Sequence, residues 1–193
     1  MKIFLNVLFI AFGLIAVGSI SMLGIELNDT RESVENLNLP VVGEEPGMIK
    51  YRTKNGNDFS VTFKNERVVY MENDWLLEEE GKEPLFTEFT FGKTSIADIR
   101  NEFGSNGFTY SNRLFSSTGT HLVTFNCFEF DTAKNEILVT VTGISIAEKD
   151  EVNESNISDK LKLLAIIIGD KDYLDKIWGE EKTFDDTYRK IQI

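Results

Sequence analysis

Three short runs of alternating apolar and polar residues begin the main body of the chain. The runs are MIKYRT (48–53), DFSVTF (58–63) and VVYMEN (68–73), and turn-like segments separate them. Alternation with a period of two is typical of half-buried strands. Asn55-Gly56, between the first two runs, is a strong hairpin signal because both residues tolerate the positive φ of tight turns. The pattern predicts an antiparallel meander.

A helical period replaces this alternation in the segment TSIADIRNEFG, residues 94–104. Its apolar residues fall on one helical face, and most of its charged residues lie elsewhere. Ser95 and Asp98 match a capping box, in which the hydroxyl accepts a bond from a free backbone N–H at the helix start. Gly104 stands where helices commonly end in a left-handed residue. The segment therefore predicts one short helix.

Strand-like patterns lie on both sides of this helix. FTEFTF, residues 86–91, alternates phenylalanine with polar residues and predicts a half-buried strand. WLLEEEGKEP before it, residues 75–84, predicts a connection with a short helical turn. After the helix, the runs FTYSNRLF, THLVTFNCFEF and EILVTVTGISI predict a second antiparallel meander.

The C-terminal region begins after a polar, charged stretch, residues 149–159, which we interpret as a linker or long loop. Residues 161–168 are rich in β-branched side chains, which favours a buried strand, with a helix as the alternative. Residues 172–178 predict a short helix that ends at Gly179. Residues 160–193 thus read as a strand-helix-strand segment packed on the main domain.

The first 25 residues differ in kind from the rest. Lys2 precedes an apolar centre, and small residues follow it, which is the layout of a secretory signal peptide. Ala16-Val17-Gly18 and Ser19-Ile20-Ser21 are two candidate cleavage sites. An uncleaved anchor is the alternative, since about 20 apolar residues can span a bilayer. The charges around the segment favour a body outside the cytoplasm. We therefore expect an exported protein, periplasmic or extracellular, that contacts a membrane only through residues 3–25 and only if that segment is uncleaved.

These patterns together predict the α+β fold class, a mainly antiparallel sheet with one or two short helices packed on it. An apolar export segment precedes this body. The predicted organisation is a signal peptide or anchor at 1–25, a spacer at 26–46, a main domain at 47–148, the linker or loop at 149–159 and the C-terminal segment at 160–193.

Composition narrows the classes of function. The chain has 193 residues and a net charge of −12 at pH 7, and it lacks the clustered Lys and Arg that nucleic-acid binding requires. Cys127 is the only cysteine, so the fold has no internal disulfide and depends on its core. His121, the only histidine, would lie on one strand with Cys127 and roughly 20 Å from it, too far for a catalytic dyad.

The glycine-rich GSNG segment, residues 104–107, invites a phosphate-loop interpretation. It lacks the Lys-Ser/Thr of that loop and follows a helix instead of preceding one. A helix cap followed by a tight turn explains it better. We interpret six residues of this region as a structural hinge: Gly92, Thr94, Ser95, Asp98, Gly104 and Gly107.

Neither a metal nor a cofactor site is expected, and no catalytic residue is selected. The acids between Asp170 and Glu181 lack the order of an EF-hand loop, and Asp170 or Asp172 serves equally well as a helix cap. The adjacent Glu78, Glu79 and Glu80 do not converge on one ion in a regular helix. Paired carboxylates remain open, because 32 acids form many pairs. Three aromatics are candidates for ligand contact, with a place in the core as the alternative: Trp75, Tyr110 and Trp178.

The segment FGKTSIADIRNEFG resembles the short motif of the BamE (SmpA/OmlA) family and the related repeats of β-lactamase-inhibitor-like domains. The matching residues are Gly92, Thr94, Ile99, Phe103 and Gly104, followed by Phe108 and Tyr110. The match covers about a tenth of the chain, which lacks a lipoprotein cysteine and the proline usual after the helix. The resemblance implies a small exported α+β module that binds other proteins and has no catalytic residue.

Three functions follow as hypotheses. The leading one is a non-enzymatic exported protein that contacts another exported or envelope protein, as an accessory factor or inhibitor. The second is a sheet protein that binds a lipid or sugar, and the third is a small hydrolase of envelope polymers that uses two carboxylates. Two acids roughly 5–9 Å apart in a deep pocket would favour the hydrolase. An apolar cavity without titratable groups would favour the ligand-binding protein, and an exposed apolar surface would favour the protein that contacts a partner.

Overall fold

The structure is a computed structural model that describes residues 20–76, 89–131 and 135–192. Within these ranges the chain forms twelve strands and four α-helices. In chain order they are β1 (Ser21–Met22), β2 (Ile25–Glu26), α1 (Arg31–Glu35), β3 (Val41–Glu45), β4 (Met48–Arg52), β5 (Asp58–Lys64), β6 (Arg67–Asp74), α2 (Ile96–Phe103), β7 (Phe108–Tyr110), β8 (Ser116–Ser117), β9 (His121–Glu129), β10 (Glu136–Ser145), α3 (Ile157–Lys160), β11 (Lys162–Asp170), α4 (Lys171–Trp178) and β12 (Lys182–Phe184).

One antiparallel sheet dominates the described part of the chain. Its strand order is β12-β7-β9-β10-β11-β6-β5-β4-β3, and β8 pairs with β9 beside this path. β1 and β2 form a separate small hairpin. The predicted fold class is confirmed in its main feature, an antiparallel sheet with short helices. Residues 1–19 of the predicted export segment lie outside the described residues.

Both faces of the sheet are covered at its centre, and each carries its own core. On one face, the α2 face, Ile96 and Ile99 of the helix pack with Phe59, Phe128 and Ile166 of the sheet. On the other, the α4 face, the main packing residues are Tyr110, Cys127, Val139, Ile167, Leu174 and Trp178. The central strand β10 is buried along nine of its ten residues. Strands buried on both faces have near-continuous apolar runs, which explains the sequences ILV and AIII in β10 and β11.

Local signals at the turns and helix ends behaved as expected. Asn55-Gly56 forms the β4–β5 turn, where Thr53 N–H donates to the Asn57 carbonyl at 2.9 Å and Gly56 has φ of +84°. Ser95 and Asp98 form the capping box of α2, and Gly104 ends that helix in the left-handed region. Residues 162–170 form a strand and not a helix. α4 then ends against Gly179.

Other predictions of local structure were wrong. Residues 26–46, expected to be a spacer, contain α1 and β3, and Val34 of α1 is buried in the α2-face core. The prediction failed because a single buried residue in a five-residue helix produces no visible period. Ile20, Met22 and Ile25, assigned to the export segment, also pack into that core. Phe89 and Phe91 are buried, as the alternation predicts. The described part of the predicted strand, residues 89–91, does not form a β-strand.

The loop between β10 and β11 spans the predicted linker at 149–159. It joins two neighbouring antiparallel strands of the same sheet and contains a 3₁₀ turn, Ile146–Glu151, followed by α3. It is therefore a long loop of the sheet. Residues 77–84 of the predicted helical connection and Glu78, Glu79 and Glu80 lie outside the described residues. Within the described ranges, no helix is both long and apolar enough to span a bilayer.

Candidate functional site

A row of directly opposed residues crosses five strands on the α4 face. Asp58 on β5 opposes Asp74 on β6, which opposes Ala165 on β11, then Val141 on β10 and Phe125 on β9. Opposed residues of antiparallel strands project to the same face. The row therefore runs from carboxylates at one end to an aromatic ring at the other.

Helix α4 covers the sheet beside this row but not the row itself. Leu174 packs on Gly169, where an added Cβ would lie 2.8 Å from the leucine side chain. The Trp178 ring at the end of α4 lies 5.9 Å from the Phe125 ring. Beyond α4, a cleft of about 420 Å³ opens above Ala165 and Val141. We call it the α4-side cleft.

The cleft has an apolar floor and three different walls. Ala165, Val141, Val123 and Leu164 supply the apolar surface. Leu164 reaches it because the β10–β11 register shifts by one residue there, and such bulges re-aim side chains. Glu72 and Asp74 form the acidic wall, and Trp75 and Phe125 form the aromatic wall. The β8–β9 hairpin supplies the third wall, with the polar residues Ser116, Thr118, Thr120 and His121.

The acidic wall arises from the period of β6. Tyr70, Glu72 and Asp74 occupy alternate positions and so share one face. The Tyr70 hydroxyl donates to Glu72 Oε2 at 2.7 Å. Glu72 and Asp74 stand side by side on the wall, close enough for the charge of Glu72 to act on Asp74.

Burial and neighbouring charges favour the protonated form of Asp74. Burial raises the pKa of Asp74 from 3.8 to about 8, with the negative charges of Glu72 and Asp58 adding to the effect and Lys50 opposing it. Burial also raises the pKa of Tyr70 well above its usual value, as does the adjacent Glu72 carboxylate. The acidic wall thus carries less negative charge at neutral pH than two exposed carboxylates would.

Nearby cations are already engaged by another acid. The Asp58 carboxylate accepts a hydrogen bond from Arg52 Nε at 3.0 Å and lies 3.6 Å from Lys50 Nζ. Across the described ranges, no ion pair joins Lys, Arg or His to Glu72 or Asp74. Among the described residues, the two acids therefore line the cleft without a salt-bridge partner.

The three candidate contact aromatics occupy different environments. Trp75 is half-buried, lines the cleft and stacks on Phe91 with 6.5 Å between ring centroids. Tyr110 is fully buried and Trp178 is 5% exposed, both in the α4-face core. Only Trp75 is placed where a ligand can reach it, and the other two follow the core alternative.

His121 and Cys127 lie on β9, as expected. His121 is at the mouth of the cleft, where its Nδ1 is 3.0 Å from the Thr120 hydroxyl. Cys127 is fully buried, and this burial raises the pKa of its thiol. Cys127 is thus a core residue with its thiol kept protonated, which is not the state of a nucleophile.

The six residues interpreted as a hinge are largely structural around α2. Besides the caps, Thr94 Oγ1 accepts from Thr90 N–H at 2.8 Å, and Gly92 lies directly beneath the Trp75 ring. Gly107 adopts φ of +71° against the Cys127 carbonyl. Whether this region moves as a hinge stays a prediction.

The acids between Asp170 and Glu181 serve separate structural roles. Asp170 caps α4 by accepting from Tyr173 N–H at 2.9 Å. Asp175 accepts from the Tyr110 hydroxyl at 2.7 Å and from Lys182 Nζ at 2.6 Å. In the portion of the chain that the structure describes, no three His, Cys, Asp or Glu residues are grouped to hold a metal ion.

The sequence interpretation missed Glu72 and Asp74 as site residues. Their signal was present in the run VVYMEN and the aspartate that follows, where two acids occupy alternate positions of a strand. Acids on a strand usually face solvent, so this pattern alone did not single them out. The strand order that places β11, β10 and β9 beside them is not visible in the sequence.

Comparisons with known proteins gave no relative for this chain: no family model matched, and neither a curated protein nor a solved structure matched significantly.

Proposed function

We propose that this protein is a non-enzymatic binding protein whose α4-side cleft holds a small organic ligand with an apolar body. The observation that carries the proposal is the cleft that opens over Ala165 and Val141 among the described residues, beside the position at Gly169 where Leu174 of α4 covers the sheet. Ligand sites are concave, mostly apolar and carry a few convergent polar groups. The cleft fits this description, and its volume lies in the range for a small ligand.

The hydrolase hypothesis is less well supported by the same geometry. Glycoside hydrolysis needs two carboxyls separated by roughly 5–9 Å, with the substrate or a water between them. Glu72 and Asp74 are instead neighbours on one face of the single strand β6. Side chains that stand side by side on one strand do not flank a substrate bond from two sides, so we place these acids in binding.

Export remains part of the proposal, since the first residues favour it and the ligand would then be met outside the cytoplasm.

A protein partner is a second candidate function, and one observation favours it. Val41 and Val42, on the outermost strand β3, are 58% and 48% exposed. Exposed apolar edge strands can accept a strand from another chain. Cross-linking in the native cell would detect that partner, and a V41K/V42K variant that retained the same cross-links would contradict its docking on β3.

Binding of a neutral apolar dye tests the proposed ligand function. N-phenyl-1-naphthylamine becomes fluorescent in apolar sites, and we expect saturable binding of one dye per chain. Ala165→Leu fills the cleft floor and should abolish the signal. Ala147→Leu makes the same change at an exposed position and should leave it intact. Absence of saturable binding, or unchanged binding by Ala165→Leu, would contradict the proposal.

A further inference from the structure

We propose that the ligand of the α4-side cleft is an organic ammonium ion, with its cationic group against Glu72 and Asp74 and its apolar body along Ala165 and Val141. This inference rests on the proposed binding function and adds the chemical class of the ligand. It is carried by the position of the acidic pair at one end of the apolar floor.

Charge complementarity selects a cation. Glu72 and Asp74 have no salt-bridge partner in the described ranges, and the adjacent Lys50 and Arg52 are held by Asp58. Burial and the charges of Glu72 and Asp58 favour a proton on Asp74. An ammonium group beside Asp74 favours the ionised carboxylate instead, so that its binding releases this proton to solvent. The net charge of −12 also attracts cations at long range.

The floor of the cleft sets the shape of the ligand. Asp74 and Phe125 are separated by three strand-to-strand steps, from β6 through β11 and β10 to β9. At about 4.8 Å per step the row is roughly 14 Å long. Its middle is Ala165 and Val141, which offer no hydrogen bond. A ligand that follows this row therefore has one charged end and an alkyl or aromatic body several carbons long.

A metal ion fits the cleft less well than an ammonium ion. Calcium requires six to eight oxygen ligands, and magnesium a near-ideal octahedron. Glu72 and Asp74 supply the only carboxylates on the cleft wall in the described ranges, and the surfaces beside them are apolar or aromatic. Such surfaces suit an organic cation, whose charge is less strongly hydrated and whose carbon atoms need apolar contacts.

Three hexyl compounds of different charge test the inference. Hexyltrimethylammonium carries a fixed positive charge, hexanol is neutral and hexyl sulfate is negative. Isothermal titration calorimetry measures each directly, and displacement of N-phenyl-1-naphthylamine reports whether it enters the cleft. We expect the wild-type chain to bind the ammonium compound about tenfold or more tightly than hexanol, as removal of a close charge pair commonly produces.

Matched variants test whether Glu72 and Asp74 cause the preference for the ammonium compound. Glu72→Gln with Asp74→Asn keeps the shape of the wall and should abolish the preference for the ammonium compound while dye binding persists. Glu148→Gln with Asp150→Asn makes the same two substitutions at exposed acids with the same spacing, and should leave the preference intact. A preference for the cation that depends on Glu72 and Asp74 supports the inference.

The remaining outcomes overturn one claim or both. Equal binding of hexanol, tighter binding of hexyl sulfate, or a preference that survives the Glu72 and Asp74 changes would overturn the ammonium class but leave the binding function standing. If neither the dye nor any hexyl compound binds the wild-type chain, the proposed function fails, and the ammonium inference fails with it.

Discussion

Asp74 lies among groups of both signs that come from three strands. Glu72 is on its own strand, Asp58 opposes it from β5, and Lys50 approaches from β4. From the far side of the cleft, His121 lines the mouth. Burial and the two acids outweigh Lys50, so Asp74 keeps a proton at a pH where an exposed aspartate has lost it.

The pH dependence of stability should reveal this proton. Because the folded pKa of Asp74, about 8, exceeds the unfolded value of 3.8, its contribution to stability is fully present below about pH 4 and is lost as the pH rises toward 8. Asp74→Asn cannot titrate, so we expect the stability of this variant relative to wild type to increase between pH 5 and 8. Urea unfolding of both chains across that range measures it.

The result is decided by how steeply the stability difference between the two chains changes with pH, because the contributions of all other titrating groups cancel in that difference. One fully shifted group gives at most about 1.4 kcal/mol per pH unit. Asp150→Asn, at an exposed position, serves as control and should run parallel to wild type. Parallel curves for Asp74→Asn as well would show that Asp74 is ionised at neutral pH and that its pKa is not raised by folding.

At the scale of elements, signals confined to a few neighbouring residues could be predicted. The β4–β5 turn depends on Asn55-Gly56, and both ends of α2 depend on Ser95, Asp98 and Gly104. The turn and the helix ends depend on backbone dihedrals and local hydrogen bonds, which adjacent residues determine. Such signals gave the meander, the capped helix and the strand at 162–170.

The cleft could not be predicted because it depends on register between distant strands. Asp74 and Phe125 are 51 residues apart in the sequence, and they share a row only because β11 and β10 are inserted between their strands. Trp178 illustrates the same limit. Its neighbours in sequence, Ile177 and Gly179, do not indicate that α4 packs it against Tyr110, with 5.4 Å between the rings.

The capping box of α2 yields a prediction for a whole element. Ser95 Oγ accepts from Asp98 N–H at 3.1 Å, and the Asp98 carboxylate accepts from Ser95 N–H at 2.8 Å. Ser95→Ala should lower the free energy of unfolding by about 1 kcal/mol, because a helix-end N–H loses its acceptor. Urea denaturation measures the loss.

A double-mutant cycle separates the box from each residue alone. Each substitution removes one of the two backbone bonds, and both remove the bond of 2.7 Å that the Ser95 hydroxyl donates to the Asp98 carboxylate. The double variant should therefore be less destabilised than the sum of the single variants. Additive losses would mean that the two residues act independently and that the reciprocal cap does not contribute.

At the scale of the molecule, the folded body begins earlier than the sequence pattern suggests. Ile20 and Met22 are 2% and 0% exposed and belong to the α2-face core, and Ser21–Met22 pairs with Ile25–Glu26. The apolar character that marks an export segment therefore continues into residues of the core. Hydrophobicity alone cannot separate the two, since both roles require the same side chains.

This overlap distinguishes the two candidate cleavage sites. Cleavage after Gly18 leaves Ile20 in place, whereas cleavage after Ser21 removes it along with half of β1. We expect a chain of residues 19–193 to be more stable than one of residues 22–193 by about 1.5–3 kcal/mol, the value of burying one large aliphatic side chain. Urea unfolding of both chains measures the difference, and Ile20→Ala in the longer chain should reproduce most of it. Leu23→Ala, at a residue 39% exposed, should have little effect. Equal stability of the two chains would mean that Ile20 adds nothing to the core and that either site is compatible with the fold.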